Sequence, residues 1–237
     1  MNPFLISLIT LGFEPTSFEL SAGLLGHLPQ GEFQQAGVPN GFGADLNIAW
    51  RPVEHFGVGL NFGGSTYGSS SRSIPFSYYT DAVTVTETTD NTIGYFHLFA
   101  KIVPFSGKVQ PYAEGLIGFK NLSTETSIYQ QNCYDDPDTT TDECEIASST
   151  NSADSALSYG LGGGVEVLLI EEVDEEWKVL FFMGGRYLYG EEAQFLKEGD
   201  IEYTVPEDNG PVETVLNFNQ SKTELIQVSA GVVFKFR

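Results

Sequence analysis

Apolar and polar residues alternate one by one through much of the chain, and the pattern is clearest over Gly41–Gly63. Phe42, Ala44, Leu46, Ile48 and Trp50 share one parity, while Gly43, Asp45, Asn47, Ala49 and Arg51 share the other. After a break at Arg51–His55 the alternation resumes. Phe56, Val58, Leu60 and Phe62 then stand against Gly57, Gly59, Asn61 and Gly63. Successive side chains of a strand point to opposite faces, so a period of two predicts strands. Two such runs around a short break predict a hairpin. The apolar face carries aromatics near its ends. The opposite face is glycine mixed with Asp, Asn and Arg. A soluble sandwich would set Lys, Glu and Thr on its outer face. A small, polar second face instead suits the interior of a barrel whose outside meets lipid.

Six further strands follow from the same pattern. The first is Phe18–His27, followed by a Gly/Pro/Gln loop over Leu28–Asn40. After the hairpin comes a Gly/Ser/Thr/Tyr-rich loop, Ser65–Asn91, whose β-branched part Ala82–Thr89 would extend the strands above a membrane. The fourth strand is Thr92–Val103, the fifth Val109–Leu122 and the sixth Ala156–Leu169. The seventh is Trp177–Tyr189 and the eighth Thr223–Phe236. Short turns lie at Pro104–Lys108 and Glu171–Glu176, and long polar loops at Ser123–Ala153 and Gly190–Ser221. Connections thus alternate long and short. That asymmetry predicts an all-β fold, an eight-stranded antiparallel up-and-down transmembrane β-barrel with short periplasmic turns and long external loops. A tilted strand crosses a bilayer in about 9–11 residues, and these are long enough. A soluble eight-stranded barrel would put its apolar residues inside. The barrel domain is expected over residues 18–237. In residues 1–17, Phe4–Leu11 reads either as the remnant of a secretory signal or as an apolar lead-in to the first strand.

Parity also sorts the charges. Arg51, Lys101, Lys120, Lys178, Arg186 and Lys235 fall on the inward parity, as do Glu19, Asp45, Glu114 and Glu166. The interior of eight strands is just wide enough for side chains. An unpaired buried charge there costs several kcal/mol. Asp45, Arg51, Lys101, Glu114, Lys120, Glu166 and Arg186 are therefore interior ion-pair candidates, and a mixed ladder of this kind predicts a plugged lumen. The alternative is a small pore gated by Glu114 and an inward Lys or Arg.

Composition changes this picture little. An apolar share of 41% with 26 Gly, 18 Phe and 11 Tyr fits a barrel in which only alternate residues face lipid. No run of about 18 apolar residues marks a spanning helix. With 11 Lys+Arg against 32 Asp+Glu the formal charge is −21, which argues against nucleic acid as a partner. Cys133 and Cys144 sit in one polar segment and read as a disulfide formed in an oxidising compartment. Asp135, Asp136, Asp138, Asp142 and Glu143 lie in or beside that loop and make it the one candidate for Ca2+. The EF-hand spacing and glycine are absent, so a solvated acidic loop is the plainer reading. No other metal or cofactor is expected. Of the three histidines, His27 falls at a strand end and His55 in a turn. His97 falls on the inward face, where a hydrogen-bonding role is expected. Tyr67, Tyr78, Tyr79, Tyr129 and Tyr134 suit either recognition or a membrane-interface belt.

Three segments carry a family resemblance: Gln110–Phe119 (QPYAEGLIGF), Ser158–Val167 (SYGLGGGVEV) and Val228–Phe236 (VSAGVVFKF). They resemble the eight-stranded outer-membrane β-barrels, the group that includes the transmembrane domain of outer-membrane protein A and outer-membrane protein X, in their Bacteroidetes-type members. The resemblance runs from Phe18 to the end of the chain. It implies an integral protein of a Gram-negative outer membrane, in contact with outer-membrane lipid and lipopolysaccharide. In that family the last strand ends on an aromatic residue, whereas here Arg237 follows Phe236. Lipid A deacylases among such barrels carry an outward His-x-Ser, and this chain has none. The expectation is a non-enzymatic surface or scaffold protein, or a component of an envelope complex, acting through its external loops. Strand-edge extensions in those loops offer a protein partner a place to pair.

Overall fold

The structure is a computed structural model, and it describes residues 17–77, 80–130, 145–172, 176–204 and 213–236. The barrel strands are β1 (Ser17–Pro29), β2 (Gly41–Val53), β3 (Phe56–Ser77), β4 (Thr80–Ile102), β5 (Val109–Gln130), β6 (Glu145–Glu172) and β7 (Trp177–Gly190). A helix, α1 (Gly31–Gln35), follows β1. Four short strands, β8 (Glu192–Phe195), β9 (Ile201–Thr204), β10 (Glu213–Leu216) and β11 (Asn219–Lys222), precede β12 (Leu225–Phe236). The ring closes in the order β1-β12-β7-β6-β5-β4-β3-β2. Each neighbour is antiparallel, and β1 meets β12 from Phe18↔Phe236 to Pro29↔Leu225. Closure leaves no unpaired backbone edge in the ring, the condition for crossing hydrocarbon with strands.

Parity is obeyed through the ring. Leu98, Ile117, Leu161 and Val228 stand outside, with Leu161 72% exposed and Leu98 55% exposed. Their neighbours one residue away, His97, Leu116, Gly160 and Gln227, are buried inside. Water would not tolerate so broad an apolar belt, so the barrel spans a bilayer. Aromatics stand at both ends of the belt. Phe18 stacks on Phe236 and Trp177 on Phe234 at the short-turn end, at 6.0 and 5.8 Å. Tyr159 stacks on Tyr189 at 5.5 Å at the other end. On β7 the climb from Trp177 to Tyr189 is about 30 Å at ~3.3 Å per residue and ~40° of tilt, close to the hydrocarbon thickness.

Inward glycines make room for rings. The Tyr112 hydroxyl lies where a Cβ on Gly184 would come within 2.3 Å, and the Tyr95 hydroxyl does the same at Gly63. Large side chains from one strand thus lie across glycines one or two strands away, and the lumen fills without spreading the strands.

Three segments read from the sequence as loops hold regular structure among the described residues. First, β3 to β6 continue well past the barrel rim, where β2 and β7 stop. They form a four-stranded projecting sheet paired as far as Ser77↔Thr80, Val85↔Gln130 and Tyr129↔Glu145. The predicted loop Ser65–Asn91 is therefore largely hairpin. Hydroxyls lace the strands together, Ser71 to Thr88 and Thr89 to Thr126, both at 2.9 Å. Second, Leu28–Asn40 contains α1, which Gly37 ends at φ +82 in the left-handed conformation that glycine adopts freely. Third, Gly190–Ser221 folds into the hairpins β8/β11 and β9/β10. Together α1 and β8/β11 form a lid over the long-connection end. Phe33 meets Phe195 edge-on at 5.1 Å, and both pack with Tyr67, Ile93, Leu122, Leu188 and Leu225 in one buried cluster. The Tyr67 hydroxyl donates to the Leu196 carbonyl at 3.0 Å, and Lys197 Nζ to the Ala36 carbonyl at 2.6 Å.

Candidate functional site

The lumen holds the candidate ion pairs, stacked in layers. Lowest, toward the short turns, Lys101 Nζ bonds Glu166 Oε1 at 2.7 Å and also bonds Glu19. Lys235 Nζ bonds Glu166 Oε2 at 2.5 Å and Gln110 Oε1 at 3.1 Å. Arg51 Nη1 stands 3.8 Å from Glu19 Oε2. These residues come from β1, β2, β4, β5, β6 and β12, so this layer ties together strands far apart in sequence. One step higher, Arg186 Nε donates to Glu114 Oε1 at 2.7 Å and Nη1 to Asp45 Oδ2 at 3.2 Å. Asn47 and Asn61 complete that layer, Asn61 Nδ2 donating to Asn47 Oδ1 at 2.7 Å. Between the two layers remains a void of about 20 Å3, room for a single water.

Two inward-parity lysines behave differently from the rest. Lys120 lies in the lumen, fully buried, yet its Nζ donates to the Thr223 backbone carbonyl and enters no ion pair among the described residues. Lys178 is not inside at all. It lies at the short-turn rim, about half exposed, paired with Glu171 at 2.6 Å. Its parity is inward, but its height on β7 puts it past the end of the lumen.

Above the ionic layers, His97 Nε2 is 3.0 Å from Ser158 Oγ and its Nδ1 is 3.4 Å from Asn61 Oδ1. A serine, a histidine and an amide in that sequence have the connectivity of a nucleophile, base and orienting group. All three are fully buried, and none lines a cavity described in the structure. The chain of bonds gives His97 the hydrogen-bonding role expected of it. His27, 1% exposed, bonds Ser65 Oγ through Nδ1 at 2.6 Å. His55 bonds the Val103 carbonyl at 2.9 Å across the two short turns. In the same turns Glu54 accepts a hydrogen bond from Ser106 Oγ at 2.5 Å. That bond holds the Glu54 carboxyl below the usual carboxylate range, with the positive charges of His55, Arg51 and Lys178 acting the same way.

The open surfaces lie on the projecting sheet. Past Thr66, β3 has no strand paired to its outer edge among the described residues, and β6 has none before Asp154, where Gln194 N and, at Leu157, Glu191 N bond it. Glu145–Thr150 on β6 is exposed throughout. Of the rim tyrosines, Tyr67 is buried under the lid and Tyr129 is half-buried on β5. Tyr78, Tyr79 and Tyr134 lie outside the described residues. So do Cys133, Cys144 and the acidic residues Asp135, Asp136, Asp138, Asp142 and Glu143 between and beside them. No group of three or more potential metal ligands occurs among the described residues.

No protein-family model and no curated protein matches the chain. Solved structures similar to it are outer-membrane and surface proteins. Neisserial surface protein A is 13% identical over 93% of this chain and 96% of its own, with a TM-score of 0.38. The attachment invasion locus protein Ail of Yersinia pestis is 12% identical over 93% of this chain and 97% of its own, with a TM-score of 0.37. A major outer membrane protein of Thermus thermophilus is 14% identical over 94% of this chain and 100% of its own, with a TM-score of 0.37.

Proposed function

We propose that this chain is a non-enzymatic surface protein of the outer membrane, whose barrel anchors a projecting sheet that binds a protein partner by strand addition. The observation that carries this reading is the four-stranded extension of β3 to β6, open at both outer edges. An unpaired edge offers a row of backbone donors and acceptors to an incoming strand, and main-chain bonds supply the affinity. Bacterial barrels of this build place long connections outside the cell, so the sheet faces the exterior. The apolar belt keeps the barrel in contact with outer-membrane lipid and lipopolysaccharide. Exposed Ser and Thr with the acid excess keep the sheet soluble without a partner. The filled lumen weighs against the pore reading, because two ionic layers and a lid close it at separate heights.

Hairpin trimming tests this directly. Deleting 69–89 and 125–150, each joined by a short turn, removes the projecting sheet and leaves the barrel strands intact. Cross-linked partners recovered from intact membranes with the full chain should disappear with the trimmed chain. Recovery of the same partners with both would overturn the reading.

A further inference from the structure

At the short-turn end the barrel mouth is a pocket of about 290 Å3, remote from the projecting sheet. Its floor is the lower ionic layer, reached at Arg51 and Lys235. That layer sets Arg51, Lys101 and Lys235 against only Glu19 and Glu166, so it keeps one positive charge in excess. Lys235 is held by Glu166 and Gln110. Arg51 is less satisfied. It is 6% exposed, and one Nη donates to the Glu54 carbonyl. Its nearest carboxylate stands 3.8 Å off, and its Nε has no partner. On the walls Glu171 and Lys178 form a neutral pair, while the Glu54 carboxylate, bonded by Ser106 near the turns, adds a negative charge. The lip is negative as well, for Glu172 and Glu176 line it and enter no ion pair among the described residues.

Charge is therefore graded along the pocket, positive in depth and negative at the lip. A simple anion is repelled on entry, and a simple cation meets like charge at the floor. A molecule that leads with a carboxylate and trails an ammonium satisfies both ends. The volume is that of about ten waters, at the lower limit of small-ligand pockets, and it suits one or two amino-acid residues. We propose that this mouth binds the free C-terminal end of a peptide, its carboxylate on Arg51 and an amine one residue back against Glu172 and Glu176. Guanidinium and carboxylate make the stronger, charge-assisted kind of hydrogen bond. Capture of a terminal carboxylate is a recurring mode of peptide recognition. The site stands whether or not the projecting sheet binds a partner.

The dipeptide Lys-Ala is the probe, titrated by calorimetry into the full chain in detergent micelles. Saturable one-site binding is expected. Amidating the carboxylate or acetylating both amines should weaken it tenfold or more. So should Glu172→Gln combined with Glu176→Gln, two changes at the lip that leave the lumen untouched. Arg51→Gln should remove binding, but Arg51 also braces the floor, so the lip variant keeps the test decisive where that protein does not fold. Absence of saturable binding would overturn the proposal. So would an affinity indifferent to amidation or to the lip substitutions.

Discussion

Arg186 shows what a single residue does in this lumen. It is buried, and its single charge is shared between Glu114 and Asp45 at 2.7 and 3.2 Å. Replacing it by Met removes the cation and leaves two carboxylates facing each other. Breaking a buried pair in this way costs about 3–5 kcal/mol. Arg186→Met should lower the stability of the folded barrel to urea in micelles by that order. Adding Glu114→Gln should restore part of the loss, because Asp45 alone still accepts from Asn47 and Asn61. Equal stability of the single and double variants would count against the pairing. The inward direction of Arg186 was legible from its parity on the seventh strand. Its partners were not, since Asp45 lies 141 residues away and only the closed register brings them together. Lys178 marks the other limit. Parity names the face a residue takes but not its height, and so a rim lysine and a lumen lysine look alike in the sequence.

At the scale of elements, the spanning strands were legible and the structures above them were not. Spanning strands alternate oily and polar residues because one face meets lipid and the other a packed lumen. In the projecting sheet Ser, Thr and Glu serve on both faces, the buried one included, where Glu87, Thr124 and Thr126 are buried along with Val85, so oily and polar residues no longer alternate. Only the β-branched stretch Ala82–Thr89 betrayed it. In the lid, Phe33 and the adjacent Phe195 and Leu196 are large apolar residues set in polar segments, without period. Their signal was isolation, large oily side chains with no amphipathic element of their own to serve. Phe195→Ala should therefore loosen the lid and little else. A buried Phe cut to Ala loses about 3–5 kcal/mol where the site cannot collapse, but the lid can open without unfolding the barrel. Amide exchange across Glu191–Lys222 should accelerate and proteases should cut there, while β1 to β7 keep their protection. A loss of protection spread evenly over the barrel would mean that lid and barrel form one cooperative unit.

Among the described residues three sets of side chains cross or cover the lumen: the lower ionic layer, the Arg186 layer and the lid. Each closure rests on different residues, so losing one leaves two. The purified chain should show no steady conductance in planar bilayers, and deleting the lid hairpins between Glu191 and Thr223 should not create any. High salt should not open it either. At molar ionic strength the screening length falls to about 3 Å, which weakens exposed pairs such as Lys178 with Glu171. The Arg186 pairs sit behind packed side chains and the lower layer, with room between the layers for one water, and salt reaches them little. Single-channel recording across a salt series, on the full chain and on the lid deletion, reads this outcome. Steady openings in the native chain that disappear in Glu114→Gln would instead make the Arg186 layer a working gate, and the barrel would be a pore that also carries a projecting sheet.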